Sequence, residues 1–246
     1  KLRGDYRTGK RLHMRKVIPY IASQFRKDKI WLRRTKPAKR AYQILISVDD
    51  SRSMRDTNAV GMAFETVAVL AQALHRLEVG ELGVLSFGER VGIVHPMDAP
   101  FSGRAGAAVI EKFTFQQDKT YVSRLLDAAQ AVLEGARARH HQSADLWQLH
   151  IVVSDGALLD EDRSQLARLV RQAAERRVLI VFLAIDNRAQ SIADLQSVSY
   201  VNGQVQVKRY LDSFPFEFFL LLRDMQTLPA ILADSLRQWF ELMARM

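Results

Sequence analysis

The chain of 246 residues carries 36 Lys and Arg against 27 Asp and Glu, a formal net charge of +9, and contains no cysteine. With 48% hydrophobic and 26% charged residues, the composition is typical of a globular protein and excludes a disordered or fibrous one. The absence of cysteine excludes a disulfide framework, thiolate catalysis and a Cys-based zinc site. The longest apolar runs, such as residues 178–185, fall far short of the ~18 residues that a membrane span needs. The first residues contain neither an initiator Met nor a signal-peptide core, so we expect a piece of a longer protein.

The positive charge is concentrated at one end of the chain. Residues 1–40 hold 15 Lys and Arg and two acidic residues, a net of +13, whereas the remainder has a net of −4. A basic arm of this kind is typical of contact with nucleic acid. An apolar stripe at helical spacing instead favours docking on the rest of the protein, and it consists of Val17, Ile18, Ile21, Ala22 and Phe25. We therefore predict a basic N-terminal extension, residues 1–40, docked on a main domain of residues 41–246.

Short apolar segments alternate with amphipathic ones from residue 42 onward. The predicted strands are residues 42–48, 81–87, 91–94, 146–153, 178–185 and 216–222. The predicted helices are residues 59–77, 104–113, 122–139, 163–176 and 228–243. Hairpins are expected at residues 88–90 and, within the alternating residues 200–210, at Asn202-Gly203. Buried strands that alternate with helices indicate an α/β fold, a doubly wound and mostly parallel sheet with helices on both faces.

Oxygen-bearing side chains follow two of the predicted buried strands. Asp49, Ser51 and Ser53 form Asp-x-Ser-x-Ser after the first strand, Asp155 follows residues 146–153, and Thr120 lies in a polar loop before a helix. In open α/β sheets ligands bind at the carboxyl ends of the strands. Carboxylates and hydroxyls suit Mg²⁺. Taken singly, the hydroxyls are explained as helix caps and Asp155 as part of a turn, but together the five residues predict a metal site.

These five residues resemble the metal-ion-dependent adhesion site of von Willebrand factor A domains, whose five motif positions they fill in order. The resemblance implies a von Willebrand factor A-like fold in which Asp49, Ser51, Ser53, Thr120 and Asp155 hold Mg²⁺. Mn²⁺ or Ca²⁺ would be able to replace it. It also implies that the hydroxyls contact the metal directly and the aspartates largely through water. A Glu or Asp from a protein partner would then complete the metal shell.

Within this family the N-terminal extension is the more distinctive feature. Residues 4–12, 14–23 and 30–34, together with the tail 228–234, are similar to the von Willebrand factor A domains of dynein-related AAA ATPases that assemble the large ribosomal subunit. The resemblance implies binding to ubiquitin-like domains of WD-repeat assembly factors on nuclear pre-60S particles, in the nucleolus and nucleoplasm. The protein's own AAA ring would then remove these factors. We expect Asp50, Arg52, Arg55 and Asp118 to contribute to the partner contact, and we expect no membrane partner.

Two other functions are consistent with parts of the sequence. The first is RNA binding through residues 1–40, where aromatic residues lie among the basic ones; such binding weakens steeply as the salt concentration rises. The second is a Mg²⁺-dependent hydrolase that uses Asp50, although a phosphoryl-transfer Asp-x-Asp would need an aspartate in place of Ser51. Gly-x-Ser-x-Gly and His-Glu-x-x-His are absent, and in the phosphate-loop match at residues 4–10 Arg11 replaces the required Ser or Thr. We therefore predict a non-catalytic binding domain.

Overall fold

The computed structural model describes most of the chain. The described residues are 2–8, 11–34, 42–76, 80–139, 146–156, 161–186, 191–192, 196–201, 204–209, 211, 214–231 and 234. The chain divides into two compact units, Lys1–Arg40 and Ala41–Met246. Among the helices of the described residues, none combines the length and the apolar character needed to cross a membrane.

The first unit contains a small antiparallel sheet and one helix. Strands β1 (Leu2–Tyr6), β2 (Arg11–Leu12) and β3 (Trp31–Arg34) pair in the order β1-β3-β2, and α1 (Met14–Ala22) lies between β2 and β3 in the chain. The predicted apolar stripe falls on α1, except that Phe25 follows the helix with a φ of +66°. The sequence did not predict the sheet, because its short, Arg-rich strands show no alternation. Docking of this unit on the main domain stays a prediction.

The second unit is built on a six-stranded sheet. Its strands are β4 (Tyr42–Asp49), β5 (Glu81–Phe87), β6 (Gly92–His95), β7 (Trp147–Ser154), β8 (Val178–Ile185) and β11 (Phe218–Leu222). They lie in the order β11-β8-β7-β4-β5-β6. Every neighbouring pair is parallel except β5 and β6, which form the predicted antiparallel hairpin. The predicted hairpin insertion is also confirmed, as a separate pair of strands, β9 (Gln196–Val201) and β10 (Gln204–Arg209). Its turn, Asn202-Gly203, lies outside the described residues.

Helices connect the strands of this sheet. They are α2 (Arg52–Asp56), α3 (Val60–Arg76), α4 (Gly103–Glu111), α5 (Val122–Ala138) and α6 (Arg163–Glu175). After β11 a 3₁₀ turn, Met225–Thr227, leads into helical residues 228–231. The remainder of the predicted closing helix lies outside the described residues, apart from the helical Asp234. The predicted doubly wound α/β fold is confirmed.

The core lies on both faces of the sheet, and β4 contributes to each. Ile44, Ile46 and Val48 pack in one buried cluster with residues of α3 and α4, whereas Leu45 packs in the other with residues of α5 and α6. Successive side chains of a strand point to opposite faces. The alternation therefore places Asp49 on the α5 side of the sheet.

Candidate metal centre

Asp49 ends β4 and is fully buried. One oxygen, Oδ1, accepts hydrogen bonds from the Ser51 backbone N–H at 2.9 Å and the Thr120 hydroxyl at 3.4 Å, while Oδ2 accepts one from the Ser154 hydroxyl at 2.7 Å. Burial raises the pKa of Asp49 to about 6 despite the opposing effect of the hydrogen bonds from Ser154 and Ser51, and the nearby Asp155 raises it further. A carboxylate that is costly to ionise in this environment is stabilised by a bound cation.

The hydroxyls of Ser51, Ser53 and Thr120 are directed toward this carboxylate or toward each other. Ser51 occupies the N-cap position of α2, yet among the described residues its Oγ pairs with Ser53 Oγ at 2.9 Å rather than with a helix N–H. Thr120 precedes α5, whose N-cap residue is Tyr121, and its hydroxyl contacts Asp49 instead. The helix-cap explanation of Ser51 and Thr120 therefore does not describe what their side chains do in this structure.

Asp155 follows β7 and is 1% exposed. It lies close enough to Asp49 to raise the pKa of that residue electrostatically. The next residue, Gly156, has a φ of +78°, and a Cβ there would lie 2.7 Å from Ile192 Cδ1. Glycine is thus required for the turn that follows Asp155, both by its backbone conformation and by close packing.

The structure brings the five predicted ligands to one edge of the sheet. Their donors are two carboxylates and three hydroxyls, all of them oxygen, which is the ligand chemistry of a hard divalent cation. Among the described residues, no group of three or more His, Cys, Asp or Glu could hold a metal. The site therefore depends on its hydroxyls, and its donor set fits Mg²⁺.

Asp50 is buried, with 5% of its surface exposed. Its carboxylate accepts hydrogen bonds from the backbone N–H of Thr114 at 2.7 Å, the N–H of Phe115 at 2.5 Å, the Thr114 hydroxyl at 3.2 Å and Gln117 Nε2 at 3.2 Å. This burial leaves little surface for the direct partner contact that the sequence predicted. Instead Asp50 holds the segment 113–120, which carries Thr120, against the end of β4.

The other predicted partner-binding residues lie exposed around the site. Arg52 Nη2 pairs with Asp118 Oδ1 at 3.0 Å, and Arg55 Nη2 donates to the Thr114 carbonyl at 2.7 Å. An ion pair this exposed contributes little to stability. Their part in partner binding stays a prediction.

The sequence did not predict two residues that hold this site together. Ser154 donates to Asp49, and Gln117 donates to Asp50 while its Oε1 accepts the Arg90 backbone N–H at 2.9 Å. Ser154 adjoins a predicted ligand, which is the one signal that could have identified it. Gln117 is one of two glutamines in a polar loop, and no sequence pattern distinguishes it from Gln116.

No family model matches the chain. Among solved structures, proximal thread matrix protein 1 from the mussel byssus is similar in fold, with a TM-score of 0.56 and 15% identity over 78% of this chain and 45% of that one. A von Willebrand factor type A protein from Catenulispora acidiphila has a TM-score of 0.51 and 18% identity over 76% and 40% of the two chains. The fold is therefore that of von Willebrand factor A domains.

Two midasins are similar in sequence to nearly the whole chain. Midasin of Dictyostelium discoideum is 45% identical over 244 residues, 98% of this chain and 4% of that protein. Midasin of Giardia intestinalis is 40% identical over 245 residues, again 98% of this chain and 5% of the relative. The chain is a von Willebrand factor A domain of the midasin family. The match to midasin includes both units, so the basic extension belongs to the region that the family shares.

Proposed function

We propose that this midasin-family domain is a non-catalytic protein-binding module that depends on Mg²⁺. The observation that carries the proposal is the grouping of oxygen ligands at buried Asp49. The Thr120 hydroxyl contacts its carboxylate, the Ser51 and Ser53 hydroxyls pair with each other directly after it in the chain, and Asp155 lies close by. When bound, the ion supplies a positive charge that a carboxylate from a partner can bind. In support, a structure of the similar mussel protein has a zinc-occupied metal-ion-dependent adhesion site.

A hydrolase is less well supported, because the residue it would use is already engaged. The Asp50 carboxylate accepts four hydrogen bonds from the segment 113–120 and is almost fully buried. A general base must be within reach of the proton that it removes. Asp50 is therefore better suited to positioning the segment than to activating water.

The partner that we propose is a ubiquitin-like domain of a WD-repeat ribosome assembly factor on the pre-60S particle, in the nucleus. A Glu or Asp of that domain would bind the metal, and an AAA ring elsewhere in the protein would pull the factor away. The similarity to midasin and the oxygen-only donor set support this proposal.

The test measures the affinity of the complete chain for a ubiquitin-like domain of a WD-repeat assembly factor, in Mg²⁺ and in EDTA. We expect binding in Mg²⁺ that is lost in EDTA and in Asp49→Ala. Asp127→Ala, at an exposed position on α5, is the matched control and should bind as the unchanged chain does. Equal affinity in Mg²⁺, in EDTA and in Asp49→Ala contradicts the proposal.

RNA binding through residues 1–40 is the second candidate. Phe25 is exposed and is followed by exposed Arg26 and Lys27, a combination suited to stacking and phosphate contact. Binding to single-stranded RNA that falls steeply with KCl and ignores EDTA would support it. Absence of such binding in the complete chain would contradict it.

A further inference from the structure

A cavity of about 410 Å³ lies beside the candidate metal centre, between the start of α3, the end of α4 and the segment 113–115. Three aromatic rings form part of its lining: Phe64 lies 5.9 Å from Phe113 and 5.5 Å from Phe115 between ring centroids. Its size falls within the range of roughly 300–1,000 Å³ that is typical of ligand pockets. We propose that this pocket binds an apolar side chain of the same protein partner whose carboxylate binds the metal. The inference rests on the proposed function and specifies how the partner is recognised.

Hydrogen bonds to Asp50 connect the wall of the pocket to the candidate metal centre. The backbone N–H groups of Thr114 and Phe115, both in the pocket wall, donate to the Asp50 carboxylate at 2.7 and 2.5 Å. Asp50 adjoins Asp49, and consecutive Cα atoms are about 3.8 Å apart. The pocket wall therefore lies within about 10 Å of the metal ligands, a span that about three residues of an extended segment cover.

The lining indicates which side chain fits. Aromatic rings suit a large apolar group, and Ile110, 40% exposed at the edge of the pocket, extends the apolar surface. Arg55 is exposed in the same lining and donates to the Thr114 carbonyl, so a positive charge lies beside the aromatic rings. A cation at the rim favours an acidic partner surface. The occupant is thus a Leu, Ile, Met or Phe side chain about three residues from the partner's metal-binding acid.

Gly61 allows the pocket to be filled without disturbing the fold. It lies in α3 and lines the pocket, and a Cβ built on it meets nothing within 4 Å. Leucine is a better helix former than glycine, so Gly61→Leu should fold normally. Gly135 offers a matched control because it is an exposed glycine of α5 whose Cβ also meets nothing within 4 Å.

The experiment measures two properties of the complete chain: its affinity for the ubiquitin-like domain in Mg²⁺, and its thermal stabilisation by Mg²⁺ alone. We expect Gly61→Leu to weaken partner binding by at least about tenfold, the effect of losing a buried apolar side chain. Stabilisation by Mg²⁺ should be unchanged, and Gly135→Leu should leave both properties unchanged. Replacing the partner's pocket residue by Ala should weaken binding to the unchanged chain but have no further effect on Gly61→Leu.

Failure of this inference is distinguishable from failure of the proposed function. Wild-type affinity in Gly61→Leu, with binding still lost in EDTA, overturns the pocket and leaves the metal-dependent function standing. Binding that is insensitive to EDTA overturns the function itself. If Mg²⁺ no longer stabilises Gly61→Leu against heat, the substitution weakens partner binding by damaging the metal centre rather than by filling the pocket. Self-association of the chain that Gly61→Leu abolishes would assign the pocket to a second copy. Either of these last two results overturns the pocket as a partner site.

Discussion

Asp49→Asn separates the two properties of the Asp49 carboxylate, its negative charge and its hydrogen bonds. The amide oxygen of the substituted side chain could still accept the Ser51 N–H, and its amide nitrogen could donate to the Ser154 oxygen. The shape of the buried side chain would also be retained. What the substitution removes is the charge that a divalent cation needs.

The cost of that charge follows from the pKa of Asp49, which burial raises from 3.8 to about 6. The folded state holds the Asp49 proton more tightly than the unfolded state does. Protonated Asp49 therefore contributes to the free energy of unfolding, and this contribution is fully present below pH 3.8 and is lost as the pH rises through 6. The difference corresponds to about 3 kcal/mol that ionised Asp49 costs the metal-free protein above pH 7. Less ideal hydrogen bonding by the amide offsets about 1 kcal/mol. Without metal, Asp49→Asn should therefore be the more stable protein by about 2 kcal/mol at pH 7.5.

The assay is urea unfolding of the unchanged chain and of Asp49→Asn in EDTA, at pH 5 and pH 7.5. Taking the free-energy difference between the two proteins cancels the titrating groups that do not interact with Asp49. This difference should favour the variant by about 1.4 kcal/mol more at pH 7.5 than at pH 5. Added Mg²⁺ should then stabilise only the unchanged chain. The reasoning is refuted if Asp49→Asn is the less stable protein in EDTA at pH 7.5, or if Mg²⁺ stabilises both proteins equally.

Three other substitutions test the remaining contacts. Thr120→Val removes the hydroxyl that donates to Asp49 and should weaken Mg²⁺ binding at least about tenfold. The Mg²⁺ affinity is measured from the thermal shift that added Mg²⁺ produces, and an unchanged affinity excludes Thr120 as a ligand. Asp50→Ala leaves two backbone N–H groups without their acceptor and should lower the free energy of unfolding by about 3 kcal/mol, and a loss below about 1 kcal/mol would contradict its positioning role. Burial lowers the pKa of His150 to about 3. The neutral imidazole therefore contributes to the free energy of unfolding above pH 6.5, and this contribution is lost as the pH falls toward 3. Between pH 7 and pH 5 the free energy of unfolding of the unchanged chain should fall by about 2 kcal/mol more than that of His150→Gln. Parallel pH profiles would count against that buried neutral imidazole.

The sequence predicted the main sheet, and it predicted that the five candidate metal ligands lie together, because both follow from local patterns; that these residues bind a metal stays a prediction. Unbroken apolar runs marked the parallel strands, and the bounds of β8, Val178–Ile185, were predicted to the residue. Parallel strands end at one edge of their sheet, so polar residues after different strands meet there whatever their separation in sequence. Asp49 and Asp155 are 106 residues apart, yet strand ends alone were enough to place them together.

The sequence could not show how the site is held together. Asp50 accepts hydrogen bonds from Thr114 and Phe115, which lie 64 and 65 positions further along the chain. No periodic pattern in the sequence predicts where the segment that contains them lies. Asp50 is also buried, whereas an aspartate beside another acid is ordinarily expected to be exposed to solvent. The β1-β3-β2 sheet escaped prediction for a related reason, since its strands are defined by pairing rather than by alternating apolar residues.

Two adjacent acids have different roles because they engage opposite ends of one segment. Asp49 accepts a hydrogen bond from Thr120, at the start of α5, while Asp50 accepts from Thr114 and Phe115, near the end of α4. The end of β4 and the residue that follows it thereby hold the segment 113–120 near both of its ends. A fixed segment fixes the spacing between the metal centre and the aromatic pocket. A partner that presents an acid and an apolar side chain at that spacing can bind both without reorganising the domain, whereas a partner with the acid alone gains only the metal contact.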